Sequence, residues 1–192
     1  MIAKFSTIVL ASWLLVMNNP LQAEPVPSSY QRVAQEYGIP PDVLYSVALQ
    51  ESRTRLRSRQ TRPWPWTLNV AGVPRRYPTR VAAYKGLTFF LKHGIRSIDV
   101  GLMQVNWRFH KDKLGSPWQA LDPYHNVRTG AKILASEYRE TGDWFKAIGR
   151  YHSPGASFKQ KRRAKNYANS VMGISNNLAN SDHGKYLNQS IR

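Results

Sequence analysis

The sequence predicts a mostly α, single-domain fold with a small extended insertion, and three observations predict it. Apolar residues recur at helical spacing in successive segments that open at capping residues and close at glycines. One stretch, residues 53–97, breaks that period with Pro63-Trp64-Pro65-Trp66 and a short alternating run. At 192 residues without cysteine, the chain is long enough for one core and must hold it without disulfides.

Residues 1–23 are set apart from that domain. Lys4, the apolar run from Ile8 to Met17 broken only by Ser12, and Pro20-Leu21-Gln22-Ala23 form the three regions of a secretory signal cleaved after Ala23. The run is too short to span a bilayer, so the expectation is an exported, periplasmic protein with no membrane anchor left after cleavage. The domain then runs from residue 24 to 173. Ser28 with Gln31 suggests a capping box for a first helix carrying Val33, Ala34 and Tyr37 and stopping at Gly38. Pro40-Pro41 opens a second helix, on which Leu44, Val47, Ala48 and Glu51 share one stripe.

After the basic residues that follow Ser52, Thr67 to Val73 reads as a short hairpin turning at Ala71-Gly72. Thr79 caps a helix over residues 80–93, with Tyr84, Leu87 and Leu91 inward and Gly94 as its stop. Asn126 is expected to cap a helix carrying Val127, Ala131, Leu134 and Tyr138, and Asp143 one carrying Trp144, Ala147, Ile148 and Tyr151. A last helix spans residues 158–172 with Ala164, Tyr167, Ala168 and Val171 inward, and residues 174–192, rich in Asn and Ser, read as a disordered tail.

The formal charge of +17 calls for an anionic partner. In an exported protein that partner is anionic wall or lipid rather than nucleic acid, and much of the excess lies in the runs 53–62 and 159–165. The five histidines show no ligand-like spacing, so no metal and no other cofactor is expected.

Two stretches carry chemistry. Glu51 ends an apolar stripe, where loss of water raises a carboxyl's pKa and keeps it a proton donor; its bland alternative is an ion pair with Arg53 or Arg55. The run from Ser97 to Trp107 combines a glycine suited to close approach, Gly101, with the amides of Gln104 and Asn106 and the apolar surface of Met103 and Trp107. Sugar sites use that mixture, although each residue alone is more often structural: Met103 as core, Gln104 as helix surface, Trp107 as a core aromatic.

Gln50-Glu51-Ser52, then Gly101-Leu102-Met103-Gln104-Val105-Asn106, then Asn126 to Leu134, then Tyr151 and Tyr167, resemble in order the motifs of the lysozyme-like lytic transglycosylases of the soluble (SLT) type. The resemblance covers most of the chain from Ser28 to Met172. The Trp64 to Gly72 segment and Asp99, two residues before the glycine, look more like the members associated with conjugation and type IV secretion.

The resemblance implies an α+β lysozyme-like fold and a peptidoglycan lytic transglycosylase working as a monomer, opening the wall locally for a transfer apparatus. It makes Glu51 the acid that protonates the oxygen between N-acetylmuramic acid and N-acetylglucosamine and then acts as base. The muramic C6 hydroxyl attacks, giving a 1,6-anhydro sugar. Ser52 would bond the acid or the substrate; Met103, Gln104 and Asn106 would line the cleft; Tyr151 and Tyr167 would hold sugar and acid. The chain departs from the family at Arg150-Tyr151-His152, where Ala-Tyr-Asn is usual, and in the longer gap before Gly101. His152, beside Ser153-Pro154-Gly155, reads as a loop residue.

Asp99 opens an alternative. The run Asp-x-Gly-x-x-Gln-x-Asn also resembles animal lysozymes, where the aspartate is a second catalytic carboxylate and the bond is hydrolysed. A retaining hydrolase needs its two carboxyls about 5 Å apart, whereas a structural Asp99 would cap the helix or turn opening at Gly101. A non-catalytic wall-binding or secretion-assembly protein is a third expectation.

Overall fold

The computed structural model describes the backbone of residues 25–189 and the side chains of residues 25–180, so residues 1–23, expected to be a secretory signal, lie outside the described residues. Within them the chain is mostly α, eight helices with a small sheet on one side.

The centre is α2 (Pro41–Ser52), in which Val43 to Leu49 and Ser52 are all buried. A helix that is apolar all round must be enclosed by its neighbours, and α2 is enclosed by α1 (Ser28–Tyr37), by α8 (Phe158–Gln189) and by the first hairpin. α1 stops at Gly38 in the left-handed conformation, as predicted, but its start differs. No capping box forms: Pro27 is the N-cap, and Gln31 Nε2 donates to Val26 O at 2.8 Å.

The segment after α2 forms two hairpins and a helix. β1 (Arg53–Arg55) pairs antiparallel with β2 (Thr61–Pro63), a hairpin that the basic sequence does not announce. β3 (Thr67–Val70) and β4 (Val73–Arg76) turn at Ala71 (φ 50°) and Gly72 (φ 90°), the two positive φ values that a tight hairpin turn requires. α3 (Arg80–Lys92) is capped by Thr79, whose hydroxyl accepts from Ala82 N. β5 (Ile98–Val100) and β6 (Val105–Asn106) complete a four-stranded antiparallel sheet of order β4-β3-β5-β6. The Gly101–Gln104 run is therefore a turn between strands rather than part of a helix.

α4 (Trp107–Leu114) and α5 (Pro117–Ala120) lead into α6 (Pro123–Thr141). The cap of α6 is Asp122, accepting from His125 N, and not Asn126, which lies buried in the second turn. The sequence Asp-Pro-Tyr-His supplies both the cap and a proline at the first helical position, which outcompetes the later asparagine. α7 (Trp144–His152) is capped by Asp143, as predicted.

α8 does not end at Met172. It passes through Gly173, with Ser175 and Leu178 buried and the Ser175 hydroxyl bonded to Asp42 in the first turn of α2. The disordered tail expected from residue 174 is thus corrected to helix through Gln189, because burial beside α2 outweighs the propensity cost of one glycine.

Asn126 ties the sheet to the helices. Its Nδ2 donates to Val100 O (2.9 Å) and Ala120 O (3.0 Å), and its Oδ1 accepts from Met103 N (2.9 Å). Gly101, at φ 79°, leaves room for it: a Cβ there would lie 2.5 Å from Asn126 Nδ2. Asn126→Ala should leave these three buried partners unsatisfied and lower stability by about 2–4 kcal/mol, read as a fall in the urea midpoint.

Candidate active site

Glu51 is the penultimate residue of α2, so its side chain leaves the most enclosed helix of the protein at the point where the first hairpin begins. Its Oε1 accepts a hydrogen bond of 2.6 Å from the Tyr167 hydroxyl of α8. Burial pushes the Glu51 carboxyl up from 4.5 to about 7; the Tyr167 bond opposes the rise and the charge of Asp99 adds to it. Tyr167 and Tyr151 are both held well above the ordinary tyrosine value, first by burial and then by Glu51. Near neutral pH the site therefore holds a carboxyl that exchanges a proton beside phenols that do not.

A cleft of about 370 Å³ opens beside this carboxyl, lined by Gln50, Glu51, His152, Arg163, Asn166, Tyr167 and Ser170. His152 is the last residue of α7, not a loop residue, and its ring stacks on Tyr167 with centroids 4.3 Å apart and planes within 2°. Partial burial and the positive charge of Arg163 lower the His152 pKa, favouring the neutral ring. Arg163, Asn166, Tyr167 and Ser170 are spaced three, one and three residues apart, which puts them on one face of α8. That polar stripe was present in the sequence, yet its neighbours Ala164, Ala168 and Val171 form the more obvious apolar one.

The run Gly101–Asn106 is tied down by hydrogen bonds within the protein. Ser52, expected at the acid or the substrate, is fully buried, and its hydroxyl reaches Leu102 O (2.7 Å) and Ala48 O (3.1 Å). Met103, expected to line the cleft, is fully buried against Gly130, where a Cβ would lie 2.6 Å away; its carbonyl accepts from the Tyr151 hydroxyl at 2.7 Å. Gln104 adopts a positive φ of 45°, and its Nε2 donates to Gly101 O (2.8 Å) and Thr67 O (3.2 Å). These three residues hold the wall from within, and of the aromatics expected at the sugar, only Tyr167 lines the cleft.

Asp99 is not a cap. It sits in mid-strand on β5, where its Oδ1 accepts from Asn106 Nδ2 at 2.7 Å; Asn106 Oδ1 in turn caps α4 by accepting from Arg108 N. Burial raises the Asp99 carboxyl and the Asn106 bond opposes the rise. The register pairs Asn69 with Asp99 and Asp99 with Asn106, so the three polar side chains share one face of the sheet, opposite Leu68, Val70, Ile98, Val100 and Val105. The Asn69 Oδ1 is buried and has no hydrogen-bond partner. Sequence reasoning passed over Asn69, although its place between Leu68 and Val70 marks it as the polar member of an alternating strand.

The raised Glu51 pKa makes this carboxyl a cost to folding. Between pH 4.5 and about 7 the unfolded chain ionises Glu51 while the folded chain keeps its proton, so stability falls over that window and is level above it. Glu51→Gln should therefore have no advantage below pH 4.5 and gain about 3 kcal/mol above pH 7, read from urea unfolding at the two ends of the window.

Residues 28–172 match the sequence model of the Transglycosylase SLT domain, most of the chain. No curated protein and no solved structure matches the chain significantly. The matched span takes in Glu51, the Gly101–Asn106 turn, Asn126, Tyr151 and Tyr167, and on that match the chain belongs to the Transglycosylase SLT domain family.

Proposed function

We propose that the protein is a peptidoglycan lytic transglycosylase with Glu51 as its general acid and base. The observation that carries the reading is the Glu51 carboxyl itself: buried, raised to about 7, and held by Tyr167 at the edge of an open cleft. General acid catalysis works best with a donor whose pKa lies near the working pH. Glu51 gives its proton to the oxygen linking N-acetylmuramic acid to N-acetylglucosamine, and the muramic C1–O bond breaks. The resulting carboxylate then takes the proton of the muramic C6 hydroxyl as that oxygen bonds to C1. The acid is regenerated, no water is consumed, and the product is a 1,6-anhydro sugar.

The Tyr167 hydroxyl suits both halves of this cycle. It fixes the carboxyl in one orientation and, by donating to the ionised form, limits how far burial raises the pKa. His152, neutral and stacked on Tyr167, restrains the ring that makes this bond.

A second reading is supported by Asp99, whose charge acts on Glu51 from the sheet face. With Asp99 ionised near the sugar, water could replace the C6 hydroxyl and the enzyme would be a muramidase. Transglycosylation is favoured because the membership of residues 28–172 in the transglycosylase family gives Glu51 a complete cycle without a second carboxylate. Export to the periplasm rests on the residue 1–23 segment, and action as a monomer for a conjugation or secretion apparatus on the resemblance of the Trp64–Gly72 segment. Among the described residues no helix is long and apolar enough to cross a membrane.

Mass spectrometry of fragments released from purified sacculi tests the chemistry: anhydro-muramyl ends are expected, and reducing ends would establish hydrolysis instead. Glu51→Gln should release nothing, and wild-type cleavage should decline as pH rises through about 7, where the acid loses its proton. Asp99→Asn should keep most of its turnover; complete loss in a folded Asp99→Asn protein would move the assignment to the muramidase.

A further inference from the structure

Between Glu51 and Asp99 the sequence contains eleven lysines and arginines and not one aspartate or glutamate. The fold sets part of that excess beside the acid. Arg53 follows the Glu51-Ser52 pair directly, and Arg53 and Arg55 are the exposed residues of β1, on either side of Thr54. Arg57 and Arg59 extend the exposed row around the hairpin turn.

The second hairpin contributes Arg76. The register pairs Thr67 with Arg76 and Asn69 with Asp99, and Thr67 and Asn69 are two residues apart. Arg76 therefore rises from the same sheet face as Asn69, Asp99 and Asn106. Its Nη2 donates to Arg53 O at 3.0 Å, which draws the two hairpins together at the end of α2 that bears Glu51. Among the described residues these five guanidinium groups meet no carboxylate, unlike Arg80, Arg128 and Arg150, which pair with Asp122, Glu36 and Glu137. In the lining of the cleft, Arg163 supplies the same sign.

We propose that this arginine wall binds the carboxylates of the peptide stems that project from the glycan strand, so that the enzyme selects peptide-bearing strands over denuded ones. The inference rests on the assignment of the cleft to peptidoglycan and adds to it which part of the polymer is read. A glycan chain lying past Glu51 carries its stems outward along the strand, each stem bearing free carboxylates. The wall begins two residues from the acid, the right place to meet them. Guanidinium groups suit this partner because their fork of donors matches a carboxylate's two oxygens. An anionic lipid surface fits less well, because apolar residues to enter it are missing from the row: Arg53 to Arg59 includes one, Leu56.

The test uses the full chain carrying Glu51→Gln, which holds glycan without cutting it. Its retention is measured on uncrosslinked glycan with stems intact and on amidase-denuded glycan of equal length, at low and high salt. Stem-bearing glycan should be held more tightly, with an advantage that shrinks as salt rises. Adding Arg53→Gln, Arg55→Gln and Arg76→Gln should cut that advantage by about fivefold to tenfold. Because Arg76 also braces Arg53, the exposed pair Arg55→Gln and Arg57→Gln is tested beside it and should show a smaller loss in the same direction. Equal retention on the two glycans would overturn the proposal, as would arginine variants that weaken both alike. So would variants that lose only binding to anionic phospholipid vesicles, which would make the wall a membrane contact. Retention without preference fails this inference alone, whereas wild-type protein that releases nothing from sacculi fails the cleft assignment itself.

Discussion

A carboxyl group taken out of water must find a hydrogen-bond donor or keep its proton, and at Glu51 the fold does some of each. The acid leaves the most enclosed helix in the protein, so desolvation is imposed by the core rather than by any local device. Tyr167 then supplies one donor, enough to orient the group without driving it to permanent ionisation. Much of the architecture follows from that balance. α8 must cross α2 closely enough to deliver Tyr167, α7 must bring Tyr151 and His152 against it, and the sheet must close the side that the helices leave open.

The sheet closes it through one turn. The run Gly101–Gln104 gives its carbonyls to Ser52 Oγ, Tyr151 Oη and Gln104 Nε2, and its Met103 N–H to Asn126. Residues from α2, α6 and α7 are thus fastened to the same few backbone groups. A positive φ at Gly101 and another at Gln104 are tolerated because the surroundings fix them from several directions. The motif is specific for a structural reason: glycine for the close approach of Asn126, methionine to fill the space beside Gly130, glutamine to close the turn on itself.

The helical body was legible in the sequence because periodicity and caps agree there. Thr79, Asp143, Gly38 and the Ala71-Gly72 turn each did what their chemistry predicts. Glu51 was legible as an acid on an apolar stripe. The partners of the motif residues were not, since nothing local distinguishes a glutamine that faces a ligand from one that turns back to a carbonyl three residues away. Asn126 departs from the capping role its position suggests for a related reason, as its amide serves three distant backbone groups rather than its own helix end. Gly173 looked like a stop because local propensity carries no information about α2, which buries the next turns of α8.

In the proposed lytic transglycosylase, the closed turn bears on how sugars are discriminated. Asp99, Asn106 and Gln104 already have polar neighbours within the chain, so on the proposed reading that side of the site is fixed before a sugar arrives and meets it as a shaped surface. Little reorganisation is needed on that side when the barrier is crossed. Directional recognition then falls to uncommitted groups that line the cleft, such as the guanidinium of Arg163. A rigid mould on one side and a few free hydrogen-bonding groups around it is an arrangement that tolerates variation along a polymer while fixing the one bond to be cut.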